Sequence, residues 1–161
     1  MRRVLIAATI LLMLLPVSAQ ARQLHRHRAP VSAEPSYSQG FGGSNLVSTA
    51  RRYIGTNPTG RGSLWCGAFM DKVLRESGYR GGGNLASGYS HYGTRVSGPQ
   101  IGAIAIMGRR GGGHVGVVSG IDANGNPIII SGNTWNRTSG GRHTTLEHSY
   151  PASRVYAYVV P

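Results

Sequence analysis

The chain has 161 residues, of which 17 are Lys or Arg and five are Asp or Glu, for a formal charge of +12. A surface this basic favours an anionic partner, and so few carboxylates leave no evident acid pair for glycoside hydrolysis. The single cysteine excludes an internal disulfide and any C-x-x-C site.

Residues 1–21 read as an export signal. Arg2 and Arg3 form the charged start, Val4 to Val17 an apolar run, and Ala19-Gln20-Ala21 a small-residue cleavage site. The run is too short to span a bilayer comfortably. The expectation is a periplasmic or secreted monomer of 140 residues, charge +10, with no stable membrane span after signal cleavage. Nucleic acid is not expected as a partner, because the arginines are scattered and no nucleic-acid-binding motif accompanies them. An anionic cell-envelope polymer fits the compartment better.

Residues 22–43 mix Arg, His, Pro, Ser and Gly without apolar periodicity and read as a flexible basic arm. His25 and His27 on such an arm are a weak metal site, and no metal or organic cofactor is expected. In "SNLVSTARRYIG", Leu46, Val47, Ala50, Tyr53 and Ile54 share a helical face, with Ser44 as N-cap and Gly55 as the stop. A second helix is predicted from Leu64 to about Ser77. Cys66, Phe69, Met70, Val73 and Leu74 form its apolar face, and Gly78 closes it. Leu85 to Tyr92 reads as a short third helix.

The second half changes period. "IGAIAIM", "HVGVVSGI", "PIIIS" and "RVYAYVV" are β-branched or aromatic runs divided by Gly, Asn and Asp, with a hairpin expected at Asp122-Ala-Asn-Gly-Asn. Helices followed by a mostly antiparallel sheet make an α+β domain over residues 44–161.

Chemistry centres on the lone thiol. If Ser63 caps the second helix, Cys66 is its N3 residue, where the helix dipole and free N–H groups stabilise a thiolate and can hold an oxyanion. Position alone leaves packing and nucleophile equally open, since free Cys is commonly buried. His114 follows Gly111-Gly112-Gly113 and opens a strand, where it can serve as base, while Gly116 on the same strand face would let the Cys66 helix approach. Asn133 is the candidate to accept the His114 Nδ1–H bond, with His143 and His148 as rivals. Trp65 and Trp135 are candidate substrate-binding residues, although Trp65 fits a core position equally.

"LWCGAFMDKVLRESGY", the turn Gly98-Pro99-Gln100-Ile101-Gly102 before "AIAIM", "GGHVGVVSGID" and "IIISGNTWN" together resemble the CHAP and NlpC-like cysteine peptidases, which are cell-wall hydrolases. The resemblance covers about Ser44 to Pro161. It implies a papain-like α+β fold, a nucleophile at Cys66, a base at His114, a polar third residue at Asn133, and cleavage of peptide or amide bonds in peptidoglycan. Ala103 stands where the family usually has an acidic residue, and the segment before Cys66 is short. The rival readings are a non-catalytic basic envelope-binding module on the same fold and an acyltransferase using the same Cys-His pair.

Overall fold

The computed structural model describes residues 41–161; the predicted export signal, and the basic arm with His25 and His27 up to residue 40, lie outside the described residues. Helices α1 (Phe41–Arg51) and α2 (Cys66–Glu76) come first, then a short 3-10 turn (Ala86–His91). Six strands follow: β1 (Thr94–Val96), β2 (Ile104–Met107), β3 (His114–Ile121), β4 (Pro127–Asn136), β5 (Arg142–Ser149) and β6 (Val155–Val160). They form one sheet in the order β1-β6-β2-β3-β4-β5, with antiparallel pairing throughout the ladders. The result is a mixed α/β fold of a few short helices on a six-stranded antiparallel sheet.

The helical faces predicted from period 3.6 pack except at the end of the first, where α1 stops at Arg51 rather than before Gly55 and Ile54, bridged to Thr145, is 40% exposed. Leu46, Val47 and Ala50 of α1, and Cys66, Phe69, Met70, Val73 and Leu74 of α2, are buried against Ile104, Ile106, Val115, Val117, Ile130, Ala157 and Val159 of the sheet. α1 begins at Phe41 rather than after Ser44, and its Gly43 lies against the Gly102 backbone, where a Cβ on Gly102 would stand 2.3 Å from Gly43 Cα and one on Gly43 would stand 3.0 Å from the Ile101 carbonyl oxygen. α2 closes as expected at Gly78 (φ +87°), with the Gly78 amide donating to the Arg75 carbonyl and the Tyr79 amide to that of Leu74.

The opposite face of the sheet carries its own cluster of Ala103, Ala105, Met107, Val118, Ile129, Tyr150 and Tyr158. Side chains alternate along β3, so Val115 and Val117 face the helices while Val118 faces this second cluster. The hairpin between β3 and β4 forms at Asp122, whose carboxylate accepts from the Asn124 and Asn126 amides. Two strands were not anticipated. β1 and β5 are the sheet edges, one three residues long and the other, "RHTTLEHS", mainly polar.

β4 contains the irregularity that matters most. Ser131 pairs with Leu146 and Thr134 with Thr144, so Gly132 and Asn133 together oppose Thr145 alone. This is a bulge of one extra residue. Thr145 is held instead by the loop after α1, donating its amide to the Thr56 carbonyl and accepting from the Gly55 amide, both at 2.8 Å.

Candidate active site

Cys66 is the first helical residue of α2, not the third. Trp65 is the N-cap residue and supplies no side-chain cap, so the expected Ser63 cap does not form. The first helical bond runs from the Phe69 amide to the Trp65 carbonyl (2.8 Å), leaving the amides of Cys66, Gly67 and Ala68 without a helical partner. Just upstream, Leu64 takes φ +52°, a left-handed conformation that costs a branched residue roughly 1–2 kcal/mol. That turn drives Trp65 inward and turns Leu64 out, where it is 60% exposed.

Trp65 is 0% exposed and therefore a core residue; it cannot line a substrate groove. Its ring packs edge-on to Phe69 and both lie over Gly132 of the β4 bulge. A Cβ at Gly132 would stand 2.5 Å from Trp65 Cζ3 and 2.6 Å from Phe69 Cβ. Gly132, not Gly116, is thus the glycine that admits α2. Gly116 serves the sheet itself, since its Cβ would meet the Ile130 carbonyl at 2.5 Å and Ser131 Cβ at 2.8 Å.

His114 opens β3 as expected, 3% exposed. Strand alternation puts it on the side of Gly116 and Val118, opposite Met107 and close to Tyr150. Its hydrogen-bond partner corrects the expectation: Nε2 lies 3.0 Å from Ser131 Oγ, while the Asn133 side chain makes no bond to it. The bulge explains the difference. It keeps Ser131 beside the imidazole and swings Asn133 into φ +57°, with its carbonyl accepting from Arg109 Nη1 at 3.4 Å. His143 packs edge-on against Trp135 and His148 against Tyr150; among the described residues neither hydrogen-bonds His114. In the sequence Ser131 reads only as the end of the run "PIIIS". Its signal, a hydroxyl two residues before Asn133, becomes meaningful only once the bulge sets which face it occupies.

Ser131 belongs to a short polar chain. Its Oγ lies 3.0 Å from Thr134 Oγ1, which donates in turn to the Ser131 carbonyl at 3.3 Å, and 3.5 Å from the Tyr150 hydroxyl. With Thr134 donating onward to a carbonyl, Ser131 donates to Thr134 and accepts from His114 Nε2–H. That assignment places the neutral imidazole's lone pair on Nδ1, which is buried and has no hydrogen-bond partner among the described residues. Burial, with help from the nearby positive charge of Arg109 and Arg154, pulls the His114 pKa from 6.5 down to about 4. The imidazole is therefore neutral at pH 7 and able to accept a proton. Ser131→Ala would strand the Nε2–H in a dry environment at a cost of about 1–3 kcal/mol. If the imidazole acts as a base, Ser131→Ala should cut the rate of that chemistry roughly 10- to 100-fold, a loss largely restored by Ser131→Thr; an unchanged rate in Ser131→Ala would remove the positioning role.

Two cavities lie near the start of β3. One, of about 250 Å³, is lined by Leu64, Cys66, Asn84, Leu85, Ala86 and Gly111 to Gly113. The other, of about 260 Å³, is lined by Arg109, His114, Asn133, Thr134, Trp135, Tyr150 and Arg154. Cys66 lines the first and His114 the second, and the two are not hydrogen-bonded to each other. Trp135, 55% exposed, does line the His114 cavity. Among the described residues no group of His, Cys, Asp and Glu is arranged to hold a metal, and no helix is long and apolar enough to cross a membrane.

Residues 57–133, which include Cys66, His114, Ser131 and Asn133, match the family model of the CHAP domain. Over that segment the chain is similar to the CHAP domain. No curated protein matches the chain. A CHAP domain points to a peptidoglycan-related hydrolase or amidase of the cell envelope. The segment begins in the loop after α1 and ends at the β4 bulge, so it takes in the thiol, the imidazole and the serine that holds it.

Proposed function

We propose that this protein is an exported cysteine peptidase or amidase that cleaves peptide or amide bonds in peptidoglycan, on a papain-like arrangement of helix and sheet. Residues 1–21 would direct export, residues 22–43 would act as a basic arm on the anionic wall, and residues 44–161 would form the hydrolase domain, working as a monomer. What supports this reading is the similarity of residues 57–133 to the CHAP domain, together with a thiol that opens α2 and a neutral histidine that opens β3 within that segment.

In this reading His114 Nδ1 takes the thiol proton, and the Cys66 sulfur attacks the scissile carbonyl carbon. The unpartnered amides at the start of α2 receive the oxyanion. As the tetrahedral intermediate collapses, the imidazolium returns its proton to the departing amine. Water, deprotonated by the same nitrogen, then hydrolyses the thioester and frees the thiol. Ser131 keeps Nε2–H in place throughout. Asn133 contributes to the cavity wall rather than to the imidazole's orientation.

The absence of a Cys66–His114 hydrogen bond favours a second reading, a wall-binding module with an unreactive thiol, although catalytic contacts often close only around substrate. Mass spectrometry of purified peptidoglycan incubated with the protein separates the two. The hydrolase reading predicts fragments with new carboxyl and amino ends, abolished by prior alkylation with iodoacetamide. Digestion that survives complete alkylation would exclude the thiol mechanism, and intact walls carrying salt-releasable bound protein would support the module.

A further inference from the structure

The cavity beside His114 has a composition that the hydrolytic step does not require. Arg109 and Arg154 both line it, both are exposed, and neither forms an ion pair among the described residues. Acidic partners within the domain are already engaged elsewhere. Asp71 binds Arg75 and the Gly83 amide, Glu76 binds Lys72, Arg52 and Tyr53, Glu147 binds Arg51, and Asp122 holds the hairpin turn and Ser149. Two guanidinium groups next to a buried imidazole, with no carboxylate of the domain between them, leave a positive site to be filled from outside.

A second observation gives the ligand more shape. The Asn133 side chain is 3% exposed, and its Oδ1 has no hydrogen-bond partner although the residue lines the same cavity. A buried amide oxygen without a donor costs about 1–3 kcal/mol unless something arrives to satisfy it. It needs an N–H. Trp135 supplies an exposed aromatic wall beside it, suited to the edge of a peptide unit or an aliphatic stem. The neighbouring cavity at Cys66 is by contrast lined mainly by Leu64, Leu85, Ala86 and glycines.

We infer that the Arg109–Arg154 cavity is a substrate subsite for a peptide carboxylate, with Asn133 Oδ1 accepting the backbone N–H of the same residue. This rests on the peptidoglycan reading and deepens it: the preferred substrate carries a free carboxylate within a residue or two of the bond presented to Cys66. Arginine suits the task because its planar fork can bind a carboxylate through two parallel hydrogen bonds. A stem peptide whose carboxyl groups are amidated would lose those bonds and leave both arginines without an anionic partner.

Binding, not turnover, tests this without depending on catalysis. The full-length Cys66→Ala protein is titrated calorimetrically with a peptidoglycan stem tetrapeptide and with the same peptide bearing carboxamides in place of its carboxylates. The acid form is expected to bind at least about tenfold more tightly, and Arg109→Gln/Arg154→Gln in the Cys66→Ala background is expected to abolish that preference. Both arginines are exposed, so the double variant should fold. Equal binding of acid and amide, or a preference that survives the double substitution, would overturn the subsite. Inorganic phosphate binding as tightly as the acid peptide would also overturn it, marking a general anion site. Selective binding by a protein that fails to digest walls before mutation would leave the subsite standing and defeat the hydrolase reading alone.

Discussion

On the proposed mechanism Cys66→Ala and His114→Ala should each lower peptidoglycan digestion by roughly 10³-fold or more, because a nucleophile and its base act as one unit and neither works without the other. The pH profile adds a test that a merely structural histidine would fail. His114 is buried and neighboured by Arg109 and Arg154, and its pKa lies at about 4 in the folded protein. The base is therefore neutral and competent above that value, and the acid limb of kcat/KM should fall near pH 4 rather than near 6.5. Stability follows the same linkage. A histidine whose folded pKa is depressed stabilises the fold fully above the unfolded value of 6.5, and that contribution is lost as pH falls through about 4. At most this amounts to roughly 3 kcal/mol. In His114→Ala the acid-induced loss should shrink, measured as the difference in Tm between pH 7 and pH 4. An acid limb near 6.5 in the native protein would show that the imidazole is not held in this buried, cation-flanked state.

The second large effect is predicted at a residue with no chemistry of its own. Gly132→Val should destabilise the protein by about 3 kcal/mol or more, lowering Tm by about 10 °C or more, and should also impair digestion. Its Cβ would enter the space held by Trp65 and Phe69, both 0% exposed, and the rings have no room to yield. Pushing them away lifts the first turn of α2, and Cys66 adjoins Trp65. Gly88→Ala is the matched control, since a Cβ there meets nothing within 4 Å and its φ is not positive. An unchanged Tm for Gly132→Val by thermal circular dichroism would mean that α2 is not seated on the bulge.

Much of this architecture could be read in the sequence where one periodicity acts without competition. The apolar faces of α1 and α2, the span of β3 and the Asp122 hairpin are written in local pattern, and local pattern formed them. β1 and β5 were missed because they are edge strands: Thr94–Val96 is too short to show alternation, and Arg142–Ser149 is mostly polar. Cys66 and His114 stand out as candidates in the sequence because their residue types, flanking glycines and order are local facts. The environment of His114 was not. Whether Ser131 or Asn133 meets the imidazole depends on side-chain parity along β4, which the bulge opposite Thr145 resets and no run of residue types announces. Trp65 was ambiguous for a similar reason. Only the left-handed turn at Leu64 decides that the indole goes in and the leucine goes out.

The extra residue in β4 also governs how this domain can vary. Losing one residue between Ile130 and Thr134 would straighten the strand and exchange the sides on which its last residues stand. The serine facing His114, the glycine beneath Trp65 and the asparagine at the cavity wall could not all keep their places. Residue count in this short interval is thus as much a determinant of the site as residue identity. Insertions and deletions here should be tolerated far less than substitutions at the exposed positions around it.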